Sequence, residues 1–168
     1  SPRLFNAVLH VKATGFAAGR TLAEVRKRTE QRMRIDRISR GDGLLPVKEP
    51  SVQLQAGDRL YVRDTADNLK NYERLLGATL YNTSDVGTPV SAGVPLDEEG
   101  QQLAEAVISR SSPLHNRTLN AAHFSTLYNL VPLAIHRTMS GADLSEDLSN
   151  IRLQAGDVLL VQGARDAI

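Results

Sequence analysis

The chain has 168 residues, and its 20 Lys plus Arg against 19 Asp plus Glu leave a formal net charge of +1, so overall charge directs it to neither nucleic acid nor membrane. Hydrophobic residues make up 41% and charged residues 23%, enough for a packed core and too mixed for a disordered chain, and with 4% aromatics and no Trp that core is aliphatic. The absence of cysteine excludes a disulfide framework, a thiolate metal site and a thiol nucleophile, and no apolar run reaches the roughly 18 to 20 residues of a membrane-spanning helix. No charged-then-apolar leader opens the chain, and its start "SPRLF" lacks Met, as expected of a piece excised from a longer polypeptide, or of processing or a tag remnant.

In chain order, alternation over Leu4–Lys12 predicts a strand, and "TGFAAG" then breaks it with turn formers. Thr21 and Glu24 have the spacing of a capping box, which predicts a short helix. A strand is expected at Met33–Arg40, then a polar loop, the turn "LQAGD", and a closing strand at Arg59–Arg63. In that turn Gly57 supplies a backbone angle that other residues resist, and Asp58 can bond the neighbouring backbone. A second helix follows, with Leu69, Tyr72, Leu75 and Leu76 on one face and Gly77 as its stop. "NTSDVGTPVSAGVPLDEEG", Asn82–Gly100, reads as a linker.

Beyond the linker the pattern is written again. Leu103–Ser109 alternates as a strand, "SSPLHN" is a turn, a short helix containing His123 is expected after Thr118, and strands follow at Leu130–Arg137 and Val158–Gln162. "GRTLAEV" faces "NRTLNAA", "IDRISR" faces "PLAIHR", and "QLQAGDRLYV" faces "RLQAGDVLLV". Arg20/Arg117, Thr21/Thr118, Ile38/Ile135 and Arg40/Arg137 are each 97 residues apart, whereas Gly57/Gly156 are 99 apart, so the second copy carries two extra residues in its last loop. Anchors in the same order define a duplicated module. The expected architecture is α+β: two tandem strand-helix-strand-strand units with antiparallel sheets, residues 1–81 and 101–168, joined by a linker at 82–100. Neither unit is large enough to bury much surface alone, so the two are expected to pack as an intramolecular pseudo-twofold dimer. The second copy reaches "GARDAI" where its counterpart of the second helix would begin, so that helix is expected to be truncated.

"SPLHNRTL", "VPLAIHR" and "LQAGDVLLVQG" in the second copy, matched by "GRTLAEV", "IDRISR" and "LQAGDRLYV" in the first, resemble the TrkA-C (RCK-C) domain, the C-terminal regulatory domain of potassium-transport proteins. Tandem copies without a dinucleotide-binding half resemble the cytoplasmic insertion of bacterial divalent-anion/sodium symporter-like permeases, and no GxGxxG follows a strand here. The resemblance implies a cytosolic regulatory or ligand-sensing domain pair, on the cytoplasmic face of a bacterial inner membrane. Its implied partners are the transmembrane transport domain of the same polypeptide and further copies of itself, with no nucleic acid. The alternative is a purely structural oligomerisation module. The first copy departs from the pattern at Asp36 and Arg37, where the family usually buries aliphatics, which implies an edge strand or a polar contact.

No enzyme is expected. His10, His115, His123 and His136 lack metal-ligand spacing, and neither GxSxG nor GxxxxGK occurs. No certain cofactor is implied. The resemblance does imply a small anionic ligand, such as a cyclic dinucleotide, in a cleft lined by the loop before each helix and the neighbouring strand. The candidates are His115, Asn116, Arg117 and Arg137 in the second copy, and Gly19, Arg20 and Arg40 in the first. Arginine would grip a phosphate in bidentate fashion, or else these arginines only brace the paired modules. One local charge excess stands out: Arg20–Arg40 holds eight basic against three acidic residues, net +5, leaving −4 for the rest. Such a stretch suits anionic headgroups or an acidic partner, or nucleic acid although no aromatic interleaves it for base stacking, or is a solvated face with Glu24/Arg28 and Glu30/Arg34 pairs.

Overall fold

The computed structural model describes residues 2–82, 100–138, 147–165 and 168. They divide into two compact units, Ser1–Asn82 and Thr83–Ile168. Of the expected linker, residues 83–99 lie outside the described residues, as do 166–167 at the expected start of a truncated helix.

The first unit opens on β1 (Leu4–Val11), whose period-two alternation sends Phe5, Ala7, Leu9 and Val11 to one face, all buried. Its partner β4 (Arg59–Thr65) is antiparallel, with Leu9 opposite Leu60 and Ala7 opposite Val62. On the other side of β4 runs β2 (Ile35–Arg40), which places Ile38 opposite Leu60. Two short strands had too few residues to show a period: β3 (Gly43–Leu45) pairs with β2, and β5 (Ala78–Thr79) with the end of β1.

Helix α1 (Leu22–Arg28) begins with the capping box that the sequence predicts: Thr21 Oγ1 accepts from the Glu24 amide at 3.2 Å, and Glu24 Oε1 accepts from the Thr21 amide at 3.1 Å. These bonds hold the Glu24 carboxyl below the usual carboxylate range, the amide of Thr21 contributing most. Leu22 and Val25 are buried. The helix ends in a Schellman reversal, in which the Gln31 amide donates to the Arg26 carbonyl at 2.8 Å and the Glu30 amide to the Lys27 carbonyl at 3.0 Å. Glu30, at the position that favours glycine, has φ 55°.

Helix α2 (Ala66–Leu76) buries Leu69, Tyr72 and Leu76 against β1 and β4, while Leu75, expected on the same face, is half-buried. Burying three such side chains is worth on the order of 5 kcal/mol before ordering costs. Tyr72 donates to Asp64 Oδ2 at 2.6 Å, and burial followed by this bond raises the phenol above its ordinary value. Gly77 closes α2 at φ 64° and touches Gly15, so a Cβ on Gly15 would lie 2.0 Å from the Gly77 carbonyl oxygen. This backbone contact docks the "TGFAAG" loop on the end of α2, where Ala17 donates to the Leu76 carbonyl at 2.9 Å.

The second unit is a three-stranded antiparallel sheet in the order β7-β8-β6. β8 (Val158–Ala164) pairs with β6 (Gln101–Val107) on one side and with β7 (Val131–His136) on the other. Its core gathers Ile108, Leu119, Phe124, Ile135, Leu153 and Leu159. The helix expected straight after Thr118 is α3 (Phe124–Tyr128), shorter and later: Thr118 Oγ1 caps the Ala121 amide at 3.0 Å, but the chain turns through 119–123 first. The second copy has no glutamate to complete the box, since Ala121 stands where Glu24 does. His123, expected within this helix, precedes it at φ 50°. A single-turn 3-10 helix, Leu148–Asn150, leads to the "LQAGD" turn.

A β-bulge recurs at the same place in both units, between Ile35 and Arg37 opposite β4 and between Pro132 and Ala134 opposite β8. The extra residue is exposed Asp36 in one and buried Leu133 in the other. Arg37 lies with its guanidinium carbon 4.1 Å from the Tyr61 ring centroid, so the polar departure in β2 is met by a cation-π contact.

Candidate ligand-binding loops

In each unit the candidate residues converge on a two-residue segment just before the "AGD" turn. In the first, the Gly19 amide donates to Leu54 at 2.7 Å and the Leu54 amide returns a bond to Arg20 at 2.8 Å; in the second, Asn116 and Leu153 bond at 2.9 Å, as do Leu153 and Arg117. Thr21 forms an isolated bridge with Gln53, and Thr118 with Arg152. The loop turns through the left-handed region at Gly19 (φ 83°), and its counterpart Asn116 does the same at φ 64°. Gln53 Nε2 donates to the Gly19 carbonyl at 3.2 Å, and the Arg152 guanidinium takes that role toward the Asn116 carbonyl.

From the opposite side comes the arginine that ends the strand. Arg40 grips Asp58 in bidentate geometry, Nε to Oδ1 at 2.8 Å and Nη2 to Oδ2 at 2.8 Å, and Nη2 also donates to the Gln53 carbonyl at 2.9 Å. Arg137 repeats this on Asp157, at 2.9 and 2.7 Å, with Nη2 on the Arg152 carbonyl at 2.9 Å. Each aspartate also accepts from the turn, Gln55 to Asp58 at 2.8 Å and Gln154 to Asp157 at 2.7 Å. Both carboxylates are buried, whereas the Arg40 side chain is 36% exposed and that of Arg137 16%. The hydrogen bond to aspartate is the main cause holding each guanidinium above its ordinary value. A buried carboxylate needs such a partner, because desolvation without one costs several kcal/mol.

The clamp defines what the loops can do. The Nε/Nη2 edges of Arg40 and Arg137 are committed to a carboxylate, so a phosphate taking the same bidentate edge would have to displace it. Arg20 reaches Glu24 at 3.3 Å and stacks on Phe16 at 4.7 Å, and Arg117 donates to the Ala121 carbonyl at 2.9 Å. His115 is half-buried, and Asn116 and Arg117 are exposed. The structure thus brings Arg20 and Arg40 to the two sides of Gln53–Leu54, and Asn116, Arg117 and Arg137 to those of Arg152–Leu153. Gln53 and Arg152 are not among the residues expected from sequence, and Asp58 and Asp157, expected only to bond the neighbouring backbone, also anchor the arginines. The signal was present: Arg and Asp recur together in both copies.

The basic stretch is wired differently from expectation. Glu24 pairs with Arg20 and not with Arg28. Glu30 pairs with Arg32 at 3.4 Å and not with Arg34, because α1 has ended before Glu30. Arg28 stacks on the same Phe16 ring as Arg20, 4.9 Å from its centroid, and donates to the Leu75 carbonyl at 3.2 Å. Among the described residues, no group of three or more His, Cys, Asp or Glu is arranged to hold a metal ion, and no helix is long and apolar enough to cross a membrane.

Two repeats of one small α+β module, each closed by its own Arg–Asp clamp, define a tandem two-module domain. The TrkA-C domain model matches residues 10–77 and 103–168, and the chain belongs to that family. It is 27% identical over 98% of its length to a sulfur deprivation response regulator of Chlamydomonas reinhardtii, of which it covers 28%. It is 30% identical over 74% of its length to sodium/sulfate cotransporter 1 of the same alga, covering 15% of that protein. A third relative is an uncharacterized transporter of Synechocystis sp., 32% identical over 68% of this chain and 18% of the relative. The chain therefore spans less than a third of each. Among solved structures, the GsuK RCK domain matches with a TM-score of 0.38 at 14% identity, covering 98% of this chain and 62% of that one.

Proposed function

We propose that this pair of TrkA-C repeats is the cytosolic regulatory part of a longer membrane transporter for an ion or inorganic anion. The observation that carries this reading is the tandem TrkA-C match in a chain whose relatives include transporters several times its length. In this reading residues 1–81 and 101–168 act as two modules that pair about a pseudo-twofold axis. Their partners are the transport domain of the same polypeptide and further copies of the chain. A small anionic ligand that binds one relative orientation of the modules more tightly than another would shift the population of the attached membrane bundle.

For a ligand, the edges already committed to Asp58 and Asp157 leave His115, Asn116 and Arg117 as the more available group. The same commitment favours a second reading, an assembly module that holds transporter protomers together and takes no small molecule. Titration calorimetry against a panel of nucleotides and inorganic anions, beside the oligomeric state of the chain in solution, separates the two. Heat that disappears in Arg117→Ala supports sensing; a stable oligomer without heat supports assembly. Transport by the full-length protein that is unchanged when the two repeats are deleted would remove both.

A further inference from the structure

The duplication provides an internal control on the basic stretch, because the second repeat builds the same bulge, loop and clamp without most of it. Residues 117–137 hold two arginines and no acid, against eight basic and three acidic residues over 20–40. Arg20 and Arg40 recur as Arg117 and Arg137, and all four are bonded within their own unit. The positions of Lys27, Arg32 and Arg34 are filled in the second repeat by Phe124, Asn129 and Val131.

Of the cations peculiar to the first repeat, three have a task in its packing: Arg26 donates to the Val47 carbonyl at 2.7 Å, Arg28 to that of Leu75, and Arg37 stacks on Tyr61. Lys27, Arg32 and Arg34 have no such hydrogen bond or stacking contact among the described residues. All three are exposed, and Arg32 pairs with Glu30, each side chain more than 70% exposed. Lys27 sits in the last turn of α1, and Arg32 and Arg34 in the segment between the Schellman turn and β2, so the paired amide bonds of that turn fix the path that joins them.

We propose that Lys27, Arg32 and Arg34 form an electrostatic docking surface for an anionic lipid bilayer. Two observations favour lipid over a protein or nucleic acid. No exposed large hydrophobic residue lies between 20 and 40, so the surface lacks the apolar anchor that centres a specific protein interface. The aromatics described near it are engaged: Phe16 is half-buried and stacked by Arg20 and Arg28, and Tyr72, within electrostatic reach of Arg32, is buried and bonded to Asp64, so neither offers a platform for a base. Diffuse positive charge without such anchors is what a headgroup layer attracts. The inference takes from the proposed function only the nearness of a membrane.

The test is flotation of the 168-residue chain with phosphatidylcholine vesicles, with and without phosphatidylglycerol. Binding is expected to the anionic vesicles alone, to weaken steeply with salt, and to fall on the order of a hundredfold in the triple variant Lys27→Gln/Arg32→Gln/Arg34→Gln. Because none of the three packs into the fold, the variant is expected to melt with the wild type, and Lys48→Gln, outside the patch, serves as the charge control. Equal binding by the triple variant, no binding by the wild type, or tighter binding to duplex DNA or to a poly-glutamate peptide than to anionic vesicles would each overturn the proposal. Vesicle binding is read on the isolated chain, so its failure is distinct from a failure of transport regulation, which is read on the full-length protein.

Discussion

Removing the charge of each clamp aspartate gives a paired experiment, since Asp58→Asn and Asp157→Asn change the same atoms in two settings. Each carboxylate receives three hydrogen bonds, two from arginine and one from the backbone of the turn. The amide keeps one acceptor oxygen and turns an NH2 toward a donor, so at least one bond is lost and a guanidinium loses its counter-charge. Breaking a buried pair costs about 3–5 kcal/mol, while an exposed pair is worth about 1 kcal/mol or less. The Arg137 side chain is 16% exposed and that of Arg40 36%, so water compensates Arg40 more readily. The expected losses are about 3 kcal/mol for Asp157→Asn and about 2 kcal/mol for Asp58→Asn, after discounting the latter for screening. Hydrogen exchange by mass spectrometry reads the two units separately, and the amides of Gln154 and Gln55, which donate to the aspartates, are the direct reporters. A larger loss in the first unit, or changes under about 0.5 kcal/mol in both, would refute the reasoning from burial.

Gly15→Ala should destabilise the first unit by roughly 3 kcal/mol, since its Cβ would fall 2.0 Å from a backbone oxygen that cannot swing aside, and local exchange over residues 12–20 and 70–77 would show it. Glu30→Gly should stabilise the first unit by about 0.5–1 kcal/mol, because it relieves a side chain held at φ 55° at the Schellman position; a loss in a urea melt would contradict this. Tyr72 holds its proton more tightly folded than unfolded, so its contribution is complete below about pH 10, the ordinary phenol value, and is lost as pH rises beyond it. Stability followed by circular dichroism should therefore fall through alkaline pH, and less steeply in Tyr72→Phe.

What could be read in advance follows from how far each signal reaches along the chain. The capping box at Thr21 and Glu24, the glycine stop at Gly77 and the strands around Leu9 and Leu60 are local chemistry, and the duplication supplied independent evidence for the order of elements. The late start of α3 was hidden because "NRTLNAA" shares Thr-Leu with its counterpart but lacks the glutamate that makes the first turn helical. The wiring of the basic stretch was hidden because i,i+4 pairing assumes a helix that runs past Glu30, and a Schellman closure with glutamate in glycine's place leaves no trace in composition. The clamp spans 18 residues in one copy and 20 in the other, beyond any periodic signal, and only the joint recurrence of Arg and Asp pointed to it.

That unequal spacing has an engineering consequence. Two added residues between Arg137 and Asp157 leave the clamp distances within about 0.1 Å of those in the first unit, so the closure is insulated from the contour length it bridges. A short reporter peptide spliced between Arg137 and Asp147 should be tolerated there, giving a handle on the second unit that leaves its fastening untouched.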